Sequence, residues 1–154
     1  LVLEMGAELS GVHWKGKTEL PKMNYEVSLQ AKRTMGSDFF CGLTFPFKES
    51  HATLVLGGWG GSLIGISSLD DFDASENDTG DAYVFEDGKW YDVRLCVTEA
   101  KLQVWLNDKM VIDTDVEGRK VSMRFGEIEM SVPFGICTYA TTGVIRDISI
   151  EKLK

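Results

Sequence analysis

Three short stretches carry side chains whose type and spacing suit chemistry. The first is "LVLGGWGGSLIG", where Trp59 stands between Gly57-Gly58 and Gly60-Gly61. An exposed indole offers a flat apolar face on which the CH face of a sugar ring can stack, while nearby polar groups take its hydroxyls. Flanking glycines let a strand bend and let a ligand approach the backbone. The competing role is a structural plug, an indole filling the space a bulge opens. The second stretch is "GEIEMS", with Glu127 and Glu129 two positions apart. On a strand both would share one face. Paired carboxyls are the equipment of glycoside hydrolysis, spaced about 5–5.5 Å for retention or roughly 6.5–9.5 Å for inversion. The third is the alternation Asp71-Phe72-Asp73-Ala74-Ser75, followed by Asn77 and Asp78. Asp71, Asp73 and Asn77 are candidate ligands for calcium, which takes about six to eight oxygens. The pattern is not an EF-hand, because Glu76 stands where glycine is needed and Ala82 where a bidentate glutamate is needed. A solvated acidic loop is the alternative.

Single residues add candidates. Trp105 lies on the polar side of "KLQVWLND" and is a second possible sugar platform. In "GVHWKGK" basic and aromatic groups meet, making His13 and Trp14 a third binding candidate. His51, in "KESHATL", is a candidate general base, since imidazole titrates near neutrality. No serine or cysteine motif accompanies either histidine, so a nucleophilic triad is not expected. Trp90 opens a strand and is expected in the core. Cys41, Cys96 and Cys137 lie inside strand-like runs without metal or redox spacing, and read as small hydrophobes, with one disulfide plus a free thiol as the alternative. Asn77-Asp78-Thr79 is also a glycosylation sequon, relevant only to a secreted chain.

The elements that must position these groups are strands. "YEVSLQAKR" alternates Tyr25, Val27, Leu29 and Ala31 against polar neighbours, and "WYDVRLCVT" does the same with Tyr91, Val93, Leu95 and Val97. "KLQVWLND" sets Leu102, Val104 and Leu106 opposite Gln103 and Trp105. In the closing "VIRDISIEKLK", Val144, Ile148 and Ile150 are expected to share a side. Asn107-Asp108 suits a type I′ hairpin. No sustained helical period occurs. The long acidic interruption from Ser67 to Lys89 is the kind of loop that is usually functional or disordered.

Composition bounds the partners. The 154 residues suffice for one domain, 1–154, without staples. Acidic residues outnumber basic ones by 24 to 16, a net charge of −8, which disfavours nucleic acid and anionic lipid surfaces. No apolar run reaches the roughly 20 residues of a bilayer span. The chain opens at Leu1 rather than methionine, as after removal of a signal peptide or upstream segment or after trimming. An extracellular or periplasmic location is the expectation.

Many short strands of this kind predict an all-β sandwich or barrel. The run "FEDGKWYDVRLCVTEAKLQVWLNDKMVIDTDVEG" resembles the concanavalin A-like, laminin-G-like jelly roll, with a tryptophan opening a strand, two alternating strands, an "LN" turn and "MVID". "NYEVSLQAKR", "FFCGLTFPF" and "GICTYATTGVIRDISIEKL" are similar to the same superfamily. Together, from about Tyr25 onward, they resemble the 3-keto-disaccharide hydrolase family, formerly a domain of unknown function common in planctomycete and Bacteroidetes proteins. The resemblance implies a two-sheet antiparallel jelly-roll sandwich and a carbohydrate-binding or glycoside-hydrolase-like function on glycans or keto-sugars. An active 3-keto-glycoside hydrolase, or a laminin-G-type module that binds protein in a larger assembly, are the alternatives. It carries no catalytic residue over. Jelly-roll glucanases carry E-x-D-x-E on one strand, whereas here Glu129 is central and Ser131 and Val132 follow. Glu127, Glu129 and His51 therefore stand as catalytic candidates on their chemistry alone, and Trp59, Trp105, His13 and Trp14 as binding candidates.

Overall fold

The two-residue alternation becomes strand in the computed structural model, which describes residues 1–6 and 8–154. In chain order the strands are β1 (Val2–Leu3), β2 (Leu9–His13), β3 (Tyr25–Gly36), β4 (Cys41–Phe47), β5 (Ser50–Gly57), β6 (Leu63–Ser67), β7 (Asp81–Ala82), β8 (Trp90–Val97), β9 (Lys101–Leu106), β10 (Lys109–Asp115), β11 (Gly135–Tyr139) and β12 (Thr141–Lys152). The first sheet runs β1-β12-β3-β8-β9-β10 and the second β2-β11-β4-β5-β6-β7. All pairings between them are antiparallel. This is the jelly-roll sandwich the sequence predicts. No helix among the described residues is long and apolar enough to cross a membrane.

The core lies between the inner faces. β3 supplies Tyr25, Val27, Leu29 and Ala31, and β8 supplies Tyr91, Val93, Leu95 and Val97. From the second sheet, Leu43, Phe45, Leu54, Leu56, Ile64 and Ile66 meet them. Each fully buried side chain of this kind is worth about 1.5–3 kcal/mol. The turn between β9 and β10 has Asn107 at φ 49° and Asp108 at φ 66°, as a type I′ hairpin requires. The three cysteines are free thiols, with Cys41 and Cys137 buried.

Two expectations need correction. In β12 the inward residue is Ile145, fully buried, and Ile148 is exposed. The register slips between Arg146 and Ser149, with Asp147 at φ 57°. That bulge inserts an unpaired residue, so the alternation that correctly turns Ile150 toward the core places Val144 instead of Ile145 inward on its other side. Trp90 is likewise not core. Its indole lies on the outer face of the first sheet, with Arg146 Cζ 3.7 Å and Lys32 Nζ 4.5 Å from the ring centre.

The acidic loop is held by packing and ion pairs, while its carboxylates stay solvent-exposed: the side chains of Asp70, Asp71 and Asp78 are 47%, 69% and 54% exposed. Leu69, Ala74 and Thr79 within it are buried. Its start pairs with the segment after β10: Ser68 N–H donates to Ser122 O at 2.7 Å, and Ser122 N–H returns the bond at 3.1 Å. Charge closes the same seam. Arg119 pairs with Asp70 at 2.9 Å and Asp78 at 2.8 Å, Lys120 with Asp71 at 2.7 Å, and Arg124 with Asp73 at 3.6 Å. Together the loop and this segment cover the outer face of the second sheet. Small residues there admit them: a Cβ on Gly65 would lie 2.7 Å from Ala74 Cβ.

Arg119 is the centre of this seam, and its removal has a signed pH dependence. The Lys120 N–H and then the Arg119 guanidinium hold Asp70 below the usual carboxylate range. Burial pushes Asp78 up, but the Thr114 hydroxyl and Arg119 outweigh it and hold it low as well. Carboxyls lowered in the folded state stabilise it above their unfolded value, near 3.9, and lose that contribution as pH falls through the lowered value. Arg119→Ala is expected to lower the melting midpoint at pH 7 by about 2–6 °C. The gap to the wild type should narrow on acidification below about pH 4. Equal gaps at pH 7 and pH 3 in calorimetry would show that the seam is held by packing alone.

Candidate functional site

The turn from β5 to β6 explains the paired glycines. Gly57, Gly60 and Gly61 have φ of 85°, 89° and 105°, and Trp59 itself has φ 48°. Glycine takes such angles freely, whereas each non-glycine residue in the left-handed region costs about 1–2 kcal/mol. Two charged side chains hold the turn. Asp38 Oδ2 accepts the Gly60 N–H at 3.2 Å while its Oδ1 accepts the Phe39 N–H at 2.8 Å. Arg33 Nη1 donates to Gly61 O at 3.3 Å. The indole is thereby turned out of the sandwich and left 42% exposed, so Trp59 is not a core plug.

Trp59 lines a cavity of about 440 Å³ on the outer side of the second sheet. Phe39, Tyr139 and Phe125 supply further aromatic walls, and Glu8, Asp38, Glu127 and Arg124 the charged ones. Phe39 and Tyr139 rings lie 5.9 Å apart, and Tyr139 N–H donates to Phe39 O at 3.0 Å. Arg124 Cζ sits 5.8 Å from the Trp59 ring centre, and its guanidinium reaches back to Asp73. The acidic loop thus contributes to this wall by orienting Arg124. Apolar walls with a few converging polar groups, in a cavity of this size, are the usual make-up of a small-molecule site.

The structure brings only some of the expected residues together. Trp59 and Glu127 share the cavity. Glu129 does not act with Glu127, because residues 127–131 form a 3-10 helix rather than a strand. At three residues per turn, side chains two apart diverge, and Glu129 instead accepts the Gly126 N–H at 3.3 Å. His51 lies elsewhere, in a second cavity with Trp14, so the three catalytic candidates do not converge. Burial, and then the charge of Lys22, push the His51 imidazole below its ordinary value. His13 Nδ1–H donates to the Met130 carbonyl, tying β2 to the 3-10 helix. Trp105 is on the outer face of the first sheet, with Arg94 Cζ 3.9 Å from its ring centre.

The calcium expectation gives way to ion pairs. Asp71 and Asp73 face Lys120 and Arg124. Asn77 Nδ2 donates to the carbonyls of Ile66 and Phe72, and its Oδ1 accepts from Thr79. Among the described residues no group of three or more His, Cys, Asp or Glu side chains is placed to hold a metal ion.

Asp38, Phe39, Tyr139 and Arg124 were not singled out from the sequence. Aspartate in the stretch "GSDFF" signals a side-chain-bonded turn, but nothing local ties it to a glycine turn twenty-two positions later.

Several solved structures share this fold. The carbohydrate binding module CBM66 from Bacillus subtilis matches with TM-score 0.62 at 14% identity, covering 96% of this chain and 84% of its own. A double variant of human galectin-16 matches with TM-score 0.54 at 16% identity, covering 92% of this chain and 96% of its own. The Crh5 transglycosylase matches with TM-score 0.59 at 7% identity, covering 99% and 87%. At these identities the likeness is one of fold. No curated protein matches the chain in sequence. The family model described as "3-keto-alpha-glucoside-1,2-lyase-like domain" matches residues 9–151. With nearly the whole chain inside that match, this protein belongs to the 3-keto-alpha-glucoside-1,2-lyase-like domain family.

Proposed function

We propose that the cavity beside β5 and β6 binds a saccharide, with Trp59 stacking on the ring and Arg124 and Glu127 taking hydroxyls. The observation that carries this reading is the indole itself: a large aromatic residue kept half-exposed, at a backbone angle that disfavours it, on the wall of a cavity with aromatic and charged lining. Strain held at an exposed position is characteristic of functional sites. The structural likeness to a carbohydrate binding module and the family support the same class of ligand.

A second reading, bond cleavage at the same site, is favoured by Glu127. Its carboxylate lines the cavity, and Glu129 is turned to the Gly126 amide. Two-carboxylate hydrolysis does not suit that arrangement, but a 1,2-elimination needs only one base. In a 3-keto-glucoside the carbonyl acidifies the C2–H bond. Glu127 would take that proton, the C2–H electron pair would form the C1=C2 double bond, and the C1–O bond would break toward the leaving oxygen, which then gains a proton. General-base removal typically costs about 10²–10⁴-fold in rate. Glu127→Gln is therefore expected to keep disaccharide binding by fluorescence titration and to lose at least about 100-fold in release from a 3-keto-disaccharide. Wild-type protein that binds the sugar without releasing product would limit the site to recognition. Absence of binding across neutral and 3-keto disaccharides would overturn both readings.

A further inference from the structure

The second cavity, of about 560 Å³, is a basic island in an acidic protein. Its wall includes Lys15, Lys17, Lys22 and Lys48, set against Glu19 and Glu49. The chain as a whole has a net charge of −8, so a local excess of lysine runs against the average. Lys22 and Glu49 neutralise each other, with Lys22 Nζ donating to both carboxylate oxygens at 3.3 and 3.2 Å. Among the described residues Lys15, Lys17 and Lys48 form no ion pair. Lys15, Lys17 and Lys48 thus line one concavity with only Glu19 left to oppose them.

The same cavity has an aromatic wall whose position is built in. Trp14 is anchored at its backbone, where its N–H donates to Phe134 O at 2.7 Å, and at its indole, where Nε1–H donates to Thr18 O at 3.3 Å. The ring is packed over Gly16, where a Cβ would lie only 2.0 Å from Trp14 Cζ2. Even so the side chain remains 43% exposed. A fixed indole beside lysines offers a stacking surface and charge-assisted donors in one place.

We propose that this cavity is a separate subsite for an acidic saccharide, with Trp14 against the ring and Lys15, Lys17 and Lys48 on a carboxylate or sulfate. The saccharide part rests on the function proposed above, whereas the anion part rests on the cavity alone. Calorimetry with the full chain tests it, using trigalacturonate, a sulfated galactose disaccharide, the neutral galactose trimer and inorganic sulfate. At least one acidic sugar is expected to bind roughly tenfold or more tightly than the neutral trimer, and the better of the two identifies the oxyanion. In the Lys17→Gln/Lys48→Gln double variant that preference should fall about tenfold, and it should weaken at 0.5 M salt, where charges are screened within a few ångströms. Both lysines are solvent-facing, so the variant should melt near the wild type. Trp59→Ala should leave acidic binding intact, which separates this subsite from the first cavity. Three results would overturn the proposal: equal affinity for acidic and neutral sugars, inorganic sulfate binding as tightly as the sugars, or loss of acidic binding in Trp59→Ala but not in the lysine variant. No binding of any acidic sugar would overturn it too, even if neutral disaccharides still titrate Trp59.

Discussion

Trp59→Ala is expected to remove saccharide binding while leaving the fold intact. An aromatic anchor of this kind typically contributes about 2 kcal/mol or more, so affinity should fall roughly 30-fold or further. The stability effect should be small, because the indole is 42% exposed and the sandwich core does not include it. Backbone strain sharpens the contrast. Trp59 holds φ 48°, which glycine adopts without penalty. Trp59→Gly is therefore expected to bind no better than Trp59→Ala, yet to melt at or above the wild-type temperature, by up to about 4 °C. A residue that weakens the fold in order to present its side chain is the usual trade between stability and function. Fluorescence or calorimetric titration with a neutral disaccharide, alongside thermal melts of all three proteins, reads both effects. If Trp59→Ala melted many degrees lower and bound sugar normally, the indole would be a structural element and the cavity would need another anchor.

The strands were legible because half-buried sheets leave a period-two record. The inward faces of β3, β8 and β9 follow from their alternation, and the Asn107-Asp108 hairpin from its turn chemistry. β4 and β5 give continuous apolar runs instead, because their outer face is covered by the acidic loop and the segment after β10. That cover is the reason the acids mislead. Asp71, Asp73 and Asp78 look like cation ligands along the chain, yet their partners Lys120, Arg124 and Arg119 lie about forty to fifty positions downstream. The carboxylate pair misleads for a local reason: two residues apart means one face only on a strand, and Glu127–Ser131 is a 3-10 helix. The cavity itself is assembled from five separated stretches, so only Trp59 and Glu127 were visible beforehand. The inward set Tyr25, Val27, Leu29, Ala31 continues to Arg33, and a cation in an apolar series marks a buried polar anchor.

Arg33→Leu is expected to be among the most damaging single changes to the fold, and the reason lies in what it leaves behind. Arg33 is only 9% exposed, at the end of the inward face of β3. Its Nη2 donates to Phe85 O at 2.9 Å, its Nη1 to Gly61 O at 3.3 Å and its Nε to Asp87 Oδ1 at 2.6 Å. The Phe40 ring lies 6.0 Å from Cζ. Swapping a buried ion pair for well-packed apolar groups is often neutral, but only when both partners leave together. Here the two carbonyls belong to the backbone and cannot leave. Leucine would fill the stem of the arginine and strand both acceptors, at about 1–3 kcal/mol each. A total near 3 kcal/mol corresponds to a midpoint lower by roughly 6–12 °C for a domain of this size. Asp87→Ala is the control, because Asp87 is 58% exposed in its side chain and an exposed partner is worth about 1 kcal/mol or less. The same variant reaches the site. Without Arg33 the Gly61 carbonyl loses its donor, the left-handed turn loses one of its two restraints, and saccharide affinity should fall even at temperatures where Arg33→Leu is fully folded. A variant melting within 2 °C of the wild type, with unchanged binding, would mean that water replaces the guanidinium at both carbonyls and that the turn is fixed by Asp38 alone.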